Sequence, residues 1–513
     1  MPQSLTLFIS VIFYGVALVL FIPIVFFFIE CILALLPESK KLEKQIARPS
    51  VTVLIPAHNE NKVIGKTLTA LVPQLTEQDQ LVVVADNCTD NTAELARQFG
   101  VTVLERNDQI CKGKGYALAY GLNCIEQPSQ VLVIVDADCL VQSDFLNQIA
   151  QEVIRTMQPV QAVYVMEQTS SSNPKNLVSV LAFKIKNLVR PKGLARLGLP
   201  CLLTGSGMAF PWSVIRHAPL ASGNIVEDMQ LGIDLAIAGH SPRFFSQVQV
   251  TGVLPQQEAA AKGQKIRWTH GHLNTLQTQV PRLLKAAITQ RRFELVAIAL
   301  DLCVPPLSLL AIVWLVNLTV GIFIGIFGQE WAIAILALIE GLLILTAIIA
   351  AWVKFARNDI PFKTLVSVPL YLLWKIPIYF AFFIKPQQAW VRTERDADIN
   401  QLPNLASIAN FILPKTFALS SKIRAAKEQV FLEIANEAEA ILFHVKSGSY
   451  YSLNEVGAFI WILIQEPRTI DDLCNLISTE YAVTPETCLN DLLVVLEQLA
   501  TKELIEISND FAA

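Results

Sequence analysis

Two carboxylates one residue apart, Asp136 and Asp138, stand at the end of the apolar run Val131-Leu132-Val133-Ile134-Val135. Two hard oxygen ligands at that spacing suit a divalent cation that itself holds a diphosphate. Two aspartates in a surface turn would look the same, so the neighbouring motifs matter. Upstream lie Pro56-Ala57-His58-Asn59-Glu60, Asp86-Asn87-Cys88-Thr89-Asp90 and Lys112-Gly113-Lys114-Gly115. Downstream lie Glu227-Asp228 and Gln264-Lys265-Ile266-Arg267-Trp268. Asp86 can accept from the N–H of a uracil ring; with Asp90 it can equally shape a turn and cap a helix. Lys112 or Lys114, on a loop freed by glycine, can neutralise phosphate oxygens, or simply be solvated. Asp228 can take a proton from an acceptor hydroxyl, or the Glu227-Asp228 pair can only favour a helix start. Arg267 offers a cation to a departing diphosphate and Trp268 a flat surface to a sugar ring; both types also suit a membrane-surface belt. His58 reads as a loop donor. His270 and His272, two apart, do not share a helical face as a metal pair.

These groups need a scaffold. The β-branched run before Asp136 reads as a strand buried on both faces, and side chains at the end of such a strand enter the crevice where ligands bind. Further strands are expected at 51–55, 81–85, 101–104 and 162–166, with helical stretches at 62–75, 89–99 and 115–125. That alternation predicts an α/β domain with a mainly parallel sheet. Residues 190–210, with several Gly and Pro, read as loops over a groove, and Gly205 and Ser206 are counted there with the acceptor and diphosphate contacts. Residues 264–292 have helical period and a basic side (Lys265, Arg267, Arg282, Lys285, Arg291, Arg292), as a helix on an anionic membrane surface would.

More than half of the 513 residues are apolar and only 16% charged, the balance of a membrane protein with soluble parts. A net charge of −4 argues against nucleic acid as a partner. The nine cysteines have no paired spacing, so neither a zinc site nor a disulfide frame is expected. Residues 5–37 read as an uncleaved, tilted anchor, and the lysines after it place that side in the cytoplasm. Residues 295–327 and 331–353 read as two further spans, and 361–384 as a helix lying in the interface. The expected order is an anchor and basic flank (1–47), a catalytic domain with its interfacial helix (48–292), membrane and interfacial helices (293–394), a linker (395–427) and a small α+β unit (428–513).

The ordered set Pro56-x-x-Asn59-Glu60, Asp86-x-x-x-Asp90, Asp136-x-Asp138, Glu227-Asp228 and Gln264-x-x-Arg267-Trp268 resembles family 2 glycosyltransferases. The wording around Asp86 and Lys114 is similar to a bacterial exopolysaccharide subgroup. The resemblance implies a GT-A fold, a nucleotide-diphosphate sugar donor held with Mg2+ or Mn2+, and inversion at the anomeric carbon. It assigns Asp228, with Glu227, to catalysis. It gives the donor to Pro56, His58, Glu60, Asp86, Lys112, Lys114 and Asp136, and the metal to Asp136 and Asp138. Gln264, Arg267 and Trp268 would close over donor and acceptor. Val226 stands where processive synthases usually carry Thr, which leaves open a growing glycan or a lipid-linked acceptor. The segment Tyr450-Tyr451-Ser452-Leu453-Asn454-Glu455-Val456-Gly457-Ala458-Phe459-Ile460-Trp461 resembles PqqD-type domains, winged-helix-like modules that bind peptide at a sheet edge. The expectation is an integral protein of the bacterial inner membrane with its catalytic domain in the cytoplasm, contacting membrane lipids. Alternatives are transfer to a peptide presented by the C-terminal module, or a catalytically dead scaffold with a peptide-binding tail.

Overall fold

The computed structural model describes residues 3–37, 47–167, 174–253, 258–384, 422–425, 429–433, 439–444, 449–481 and 504–508, with 488, 492, 495, 496 and 499. The basic flank at 38–46 and most of the expected linker lie outside the described residues. The chain divides into two compact units, Met1–Asp396 and Ala397–Ala513.

The first unit is built on an eight-stranded sheet. Its strands are β1 (Val51–Ala57), β2 (Gln80–Asp86), β3 (Thr102–Arg106), β4 (Val131–Ile134), β5 (Cys139–Val141), β6 (Val160–Glu167), β7 (Met208–Pro211) and β8 (Arg243–Val253), in spatial order β3-β2-β1-β4-β7-β6-β8-β5. β7 and β5 run against the other six, so the sheet is mostly parallel, as expected. All four β4 residues are buried, which a strand flanked on both edges and covered on both faces requires. Register aligns the strand ends. Ala57 pairs with Ala85 and Leu54 with Ile134, so His58, Asp86 and Asp136 leave the sheet along one edge. The helix Lys114–Cys124 lies so close to the sheet that a Cβ at Gly121 would sit 2.7 Å from Leu54 and Val84.

Residues 190–210 are not loops throughout. The helix Pro174–Lys184 runs through one π turn, Ile185–Val189, into Arg190–Arg196, and the stretch ends in β7. Proline and glycine misdirect the sequence reading here. Pro191 falls in a first turn, where a missing N–H is tolerated. Gly193 marks a backbone crossing, since a Cβ there would lie 2.0 Å from the Glu30 carbonyl oxygen. Beside it, buried Arg190 donates to Glu30 (2.7 Å) and to the Asp301 carbonyl (2.6 Å), and pairs with the Asp301 carboxylate. This charged knot fixes the first helix, Gln3–Leu33, against the helices Arg190–Arg196 and Phe293–Cys303. Gly193→Ala is therefore expected to lower stability by at least the ~1–3 kcal/mol typical of overpacking, because the obstacle is backbone. Thermal unfolding of the detergent-solubilised protein checks this. Gly15→Ala, whose Cβ meets nothing within 4 Å, should leave the midpoint unchanged.

Among the described residues, three helices are long and apolar enough to cross a membrane: Ser10–Leu33 within the first helix, Leu307–Gly328 and Ala332–Phe355. At 22 to 24 residues they rise roughly 33–36 Å, against about 30 Å of hydrocarbon. The span expected at 295–327 is broken: Phe293–Cys303 ends at Pro305-Pro306, and a separate helix starts at Leu307. Two prolines in a row cannot continue the helical ladder. Phe293–Cys303 instead buries Leu295, Ile298 and Leu302 against Met229, Ile233 and Leu283. The two later spans pack closely, with Trp314 donating to the Ala337 carbonyl at 2.7 Å and Gly341 leaving room for its ring. Residues 361–384 form two short helices, Phe362–Val366 and Val368–Ile384. The long helix Glu258–Gln290 does not present its cations as one outward stripe: Lys265 is buried and Arg282 pairs with Asp234.

Among the described residues, the second unit has two three-stranded sheets. Gln429–Glu433, Glu439–His444 and Ser449–Asn454 form an antiparallel meander. Lys422–Ala425, expected in the linker, is instead the central strand between Arg468–Thr469 and Ile505–Ser508. The helix Ile470–Glu480 starts with a capping box between Thr469 and Asp472. Ile423, Trp461, Leu473, Leu496 and Leu504 share its core.

Candidate active site

The sheet edge opens on a cavity of about 950 Å3. Pro56, His58, Glu60, Asp86, Lys112, Lys114, Asp136, Asp138, Gly205, Glu227, Asp228, Gln264, Arg267 and Trp268 all line it. Residues more than 200 positions apart in the chain thus meet in one cleft.

The β1 and β2 loops are latched to each other. His58 Nδ1 bonds the Asp86 carbonyl (2.6 Å), Asn59 exchanges hydrogen bonds with Thr89, and Glu60 N–H donates to Thr92 Oγ1 (2.8 Å). Asp90 accepts from Thr92 N (3.0 Å) and Asn61 N (3.3 Å), so it holds the loop and the helix start. The Asp86 carboxylate is nearly buried and receives Arg106 Nη1 at 2.6 Å and Asn87 Nδ2 at 3.0 Å. The sequence pattern gives no sign of Arg106, because it ends the third strand at residue 104. β3 runs two residues further, and its register sets Arg106 directly opposite Asp86.

The two candidate lysines separate. Lys112 is exposed at the rim, while Lys114 reaches inward, donates to the Gly205 carbonyl (2.7 Å), pairs with Asp136 and lies 3.8 Å from Glu227. Burial opposes the charged form of Lys114, but Asp136 and Glu227 outweigh it and its pKa is raised. Gly115 must lack a side chain: its Cβ would stand 2.6 Å from the Leu220 carbonyl. Gly205, at φ +95°, brings its backbone to the carboxylates, with its Cβ position 3.1 Å from Asp228 Oδ2 and 3.9 Å from Asp136 Oδ2. Ser206 corrects the sequence reading. It is fully buried, outside the cavity wall, and accepts from Asp136 N–H at 3.1 Å. Gln161 holds the same loop, donating to the Ser206 carbonyl and accepting from Thr204 N–H, both at 2.9 Å. Ser206 therefore helps to position Asp136 from outside the cavity lining.

Carboxylate oxygens of Asp136 and Asp138 and Cys139 Sγ lie within 4.8 Å of one another. Burial, then the neighbouring Asp138 charge, push the Cys139 thiol well above its usual pKa. Asp136 and Asp138 contribute two hard oxygen donors, the chemistry that fits Mg2+ or Mn2+. Glu227 and Asp228 occupy the first turn of the helix Glu227–Ile237, whose Leu231 and Leu235 anchor it in the sheet core. Burial pushes Glu227 up to about 7, with Lys114 pulling it down and Asp228 raising it. On the facing side, Trp268 packs on Phe183 with ring centres 5.4 Å apart. Gln264 Oε1 and Arg267 Nε are buried without a hydrogen-bond partner among the described residues. Lys186, in the π turn, also lines the cavity, and burial lowers its pKa while Asp228 works the other way. A sequence reading of loops further on gave no reason to find it.

Residues 49–271 match the family model described as "Glycosyltransferase like family 2", and 439–505 that of "Coenzyme PQQ synthesis protein D (PqqD)". "Probable glycosyltransferase YdaM" of Bacillus subtilis (strain 168) is 38% identical over 98 residues, 18% of this chain and 23% of the relative. "4,4'-diaponeurosporenoate glycosyltransferase" of Staphylococcus haemolyticus is 32% identical over 142 residues, 25% of this chain and 37% of the relative. The matched stretch thus spans well under half the length of either relative. Among solved structures, "Mannosyltransferase PcManGT from Pyrobaculum calidifontis in complex with GDP-Man and Mn2+" is similar at 17% identity and a TM-score of 0.42, over 70% of this chain and all of that one. The chain thus carries a stretch similar to a glycosyltransferase-like family 2 domain over residues 49–271, and one similar to a PqqD domain over residues 439–505.

Proposed function

We propose that the chain is a membrane-bound, inverting, metal-dependent glycosyltransferase that moves a sugar from a nucleotide diphosphate to a glycan or lipid-linked acceptor in exopolysaccharide assembly. The observation that carries this is the convergence of Asp86, Asp136, Asp138, Asp228 and Arg267 on one cavity. Asp86, kept oriented by Arg106 and Asn87, accepts a base N–H, which suits uracil. Asp136 and Asp138 would hold the cation, which supplies Lewis-acid stabilisation of the leaving diphosphate. Lys114 and Arg267 add positive charge to the same oxygens. The acceptor oxygen attacks the anomeric carbon from the face opposite the diphosphate. The new C–O bond forms as the bond to the phosphate oxygen breaks, the electron pair leaves with the diphosphate, and the hydroxyl proton passes to Asp228.

The three apolar helices support a membrane location. Lysines after the first helix support a cytoplasmic catalytic side. The PqqD match supports a second reading, in which the acceptor is a peptide held by the C-terminal unit. The test is a screen of nucleotide sugars with the purified full chain in detergent. Release of nucleotide diphosphate should require Mg2+ or Mn2+ and be lost in chelator. No release from any donor, and no binding of uridine diphosphate with Mn2+, would favour a catalytically dead scaffold. Release that needs a peptide and residues 428–513 would favour the peptide acceptor.

A further inference from the structure

The cavity that holds the carboxylates has a second, apolar wall. Ala311, Ile348, Leu365, Val368 and Leu372 line it, on or beside two helices apolar enough to cross a membrane. Set into that region is Lys375, only 5% exposed and also lining the cavity. Its ammonium lies 5.9 Å from the centre of the Tyr371 ring and 6.0 Å from that of Trp374. Among the described residues no carboxylate pairs with it, and the charge that acts on it is a second cation, Lys265. Lys265 is itself nearly buried, 5.3 Å from the Trp374 ring and two residues before Arg267.

A buried ammonium facing rings and another ammonium is expensive unless an anion joins it. The ring faces offset part of that, by about 2 kcal/mol at most for a desolvated contact. The donor's diphosphate does not fill the role, because Lys114, Arg267 and the carboxylate-bound cation already serve it. What fits a cavity with an apolar wall and a lysine that meets no carboxylate among the described residues is a molecule with both an apolar chain and a negative group.

Resting on the glycosyltransferase reading above, we propose that the acceptor is an anionic amphiphile whose chain lies among Ala311, Ile348, Leu365 and Leu372 and whose phosphate or carboxylate pairs with Lys375. The pairing holds the head group in the cavity that Asp228 also lines, and makes Lys375 a specificity-determining residue.

The experiment measures binding of three probes to the full chain in neutral detergent: a long-chain isoprenyl monophosphate, a long-chain fatty acid, and the isoprenyl alcohol. At least one anion should bind tenfold or more tightly than the alcohol. Lys375→Gln should remove that preference and leave the alcohol's affinity unchanged, while Lys375→Arg should keep it. The anion whose affinity Lys375→Gln lowers identifies the head group. Equal affinity for anions and alcohol in the unaltered protein would overturn the proposal, as would a preference that survives Lys375→Gln. Uridine diphosphate with Mn2+, titrated into the same samples, controls for folding of the variants. A Lys375-dependent anion preference without nucleotide binding would support the amphiphile site and reject the transferase reading instead.

Discussion

Asp138→Asn is expected to reduce sugar transfer by roughly a thousandfold or more, the scale of several kcal/mol of lost cation stabilisation. The argument is one of charge. Of the two carboxylates that converge here, Asp136 already faces Lys114, whose ammonium is held charged by Asp136 and Glu227. On the proposed reading, Asp138 would therefore supply much of the negative charge for a divalent cation in the group it forms with Asp136. An amide of the same shape keeps the packing but contributes no charge, so Mn2+ affinity should fall together with turnover. Asp138 is only half-buried, so the variant should melt with the unaltered protein. Calorimetric titration of Mn2+ with uridine diphosphate, alongside donor turnover, reads both effects. Undiminished transfer by a folded Asp138→Asn protein would remove the metal assignment.

How much of this was legible beforehand can be judged residue by residue. The strand before Asp136 was plain, because four buried β-branched or leucine side chains in a row have few other homes. Strand register then did the rest without further signal: once β1, β2 and β4 lie parallel, His58, Asp86 and Asp136 must share an edge. What stayed hidden depends on contacts that no local pattern encodes. Arg106 belongs to the site because of its register against Asp86. Ser206 left it because its hydroxyl turns inward to Asp136 N–H. The helix at 190–196 was obscured by Pro191 and Gly193, residues that serve a first turn and a backbone crossing rather than a loop. Lys265 reads as part of a basic surface stripe by helical period alone, and only the neighbouring Val368–Ile384 helix shows that it faces inward. Periodicity reports which face is polar; it does not say whether that face meets water or a cavity.

Asp228→Asn should lower kcat by roughly a thousandfold, within the range a general base contributes, and leave nucleotide-diphosphate affinity unchanged. That separates it from Asp138→Asn, which weakens both. The adjacent Glu227 is the obvious rival for the role, and their surroundings differ. Glu227 is pushed up to about 7, mainly by burial, so near neutral pH much of it already carries a proton and cannot accept another. It also lies 3.8 Å from Lys114. Asp228 stands beside the Gly205 backbone, with one oxygen taking its neighbour's N–H at 2.8 Å and the other 3.1 Å from where a Gly205 Cβ would stand. Glu227→Gln should therefore slow transfer less than Asp228→Asn. Measuring single-turnover rates for both variants at saturating donor decides between them. A larger loss in Glu227→Gln would move the base by one residue, and with it the face from which the acceptor approaches.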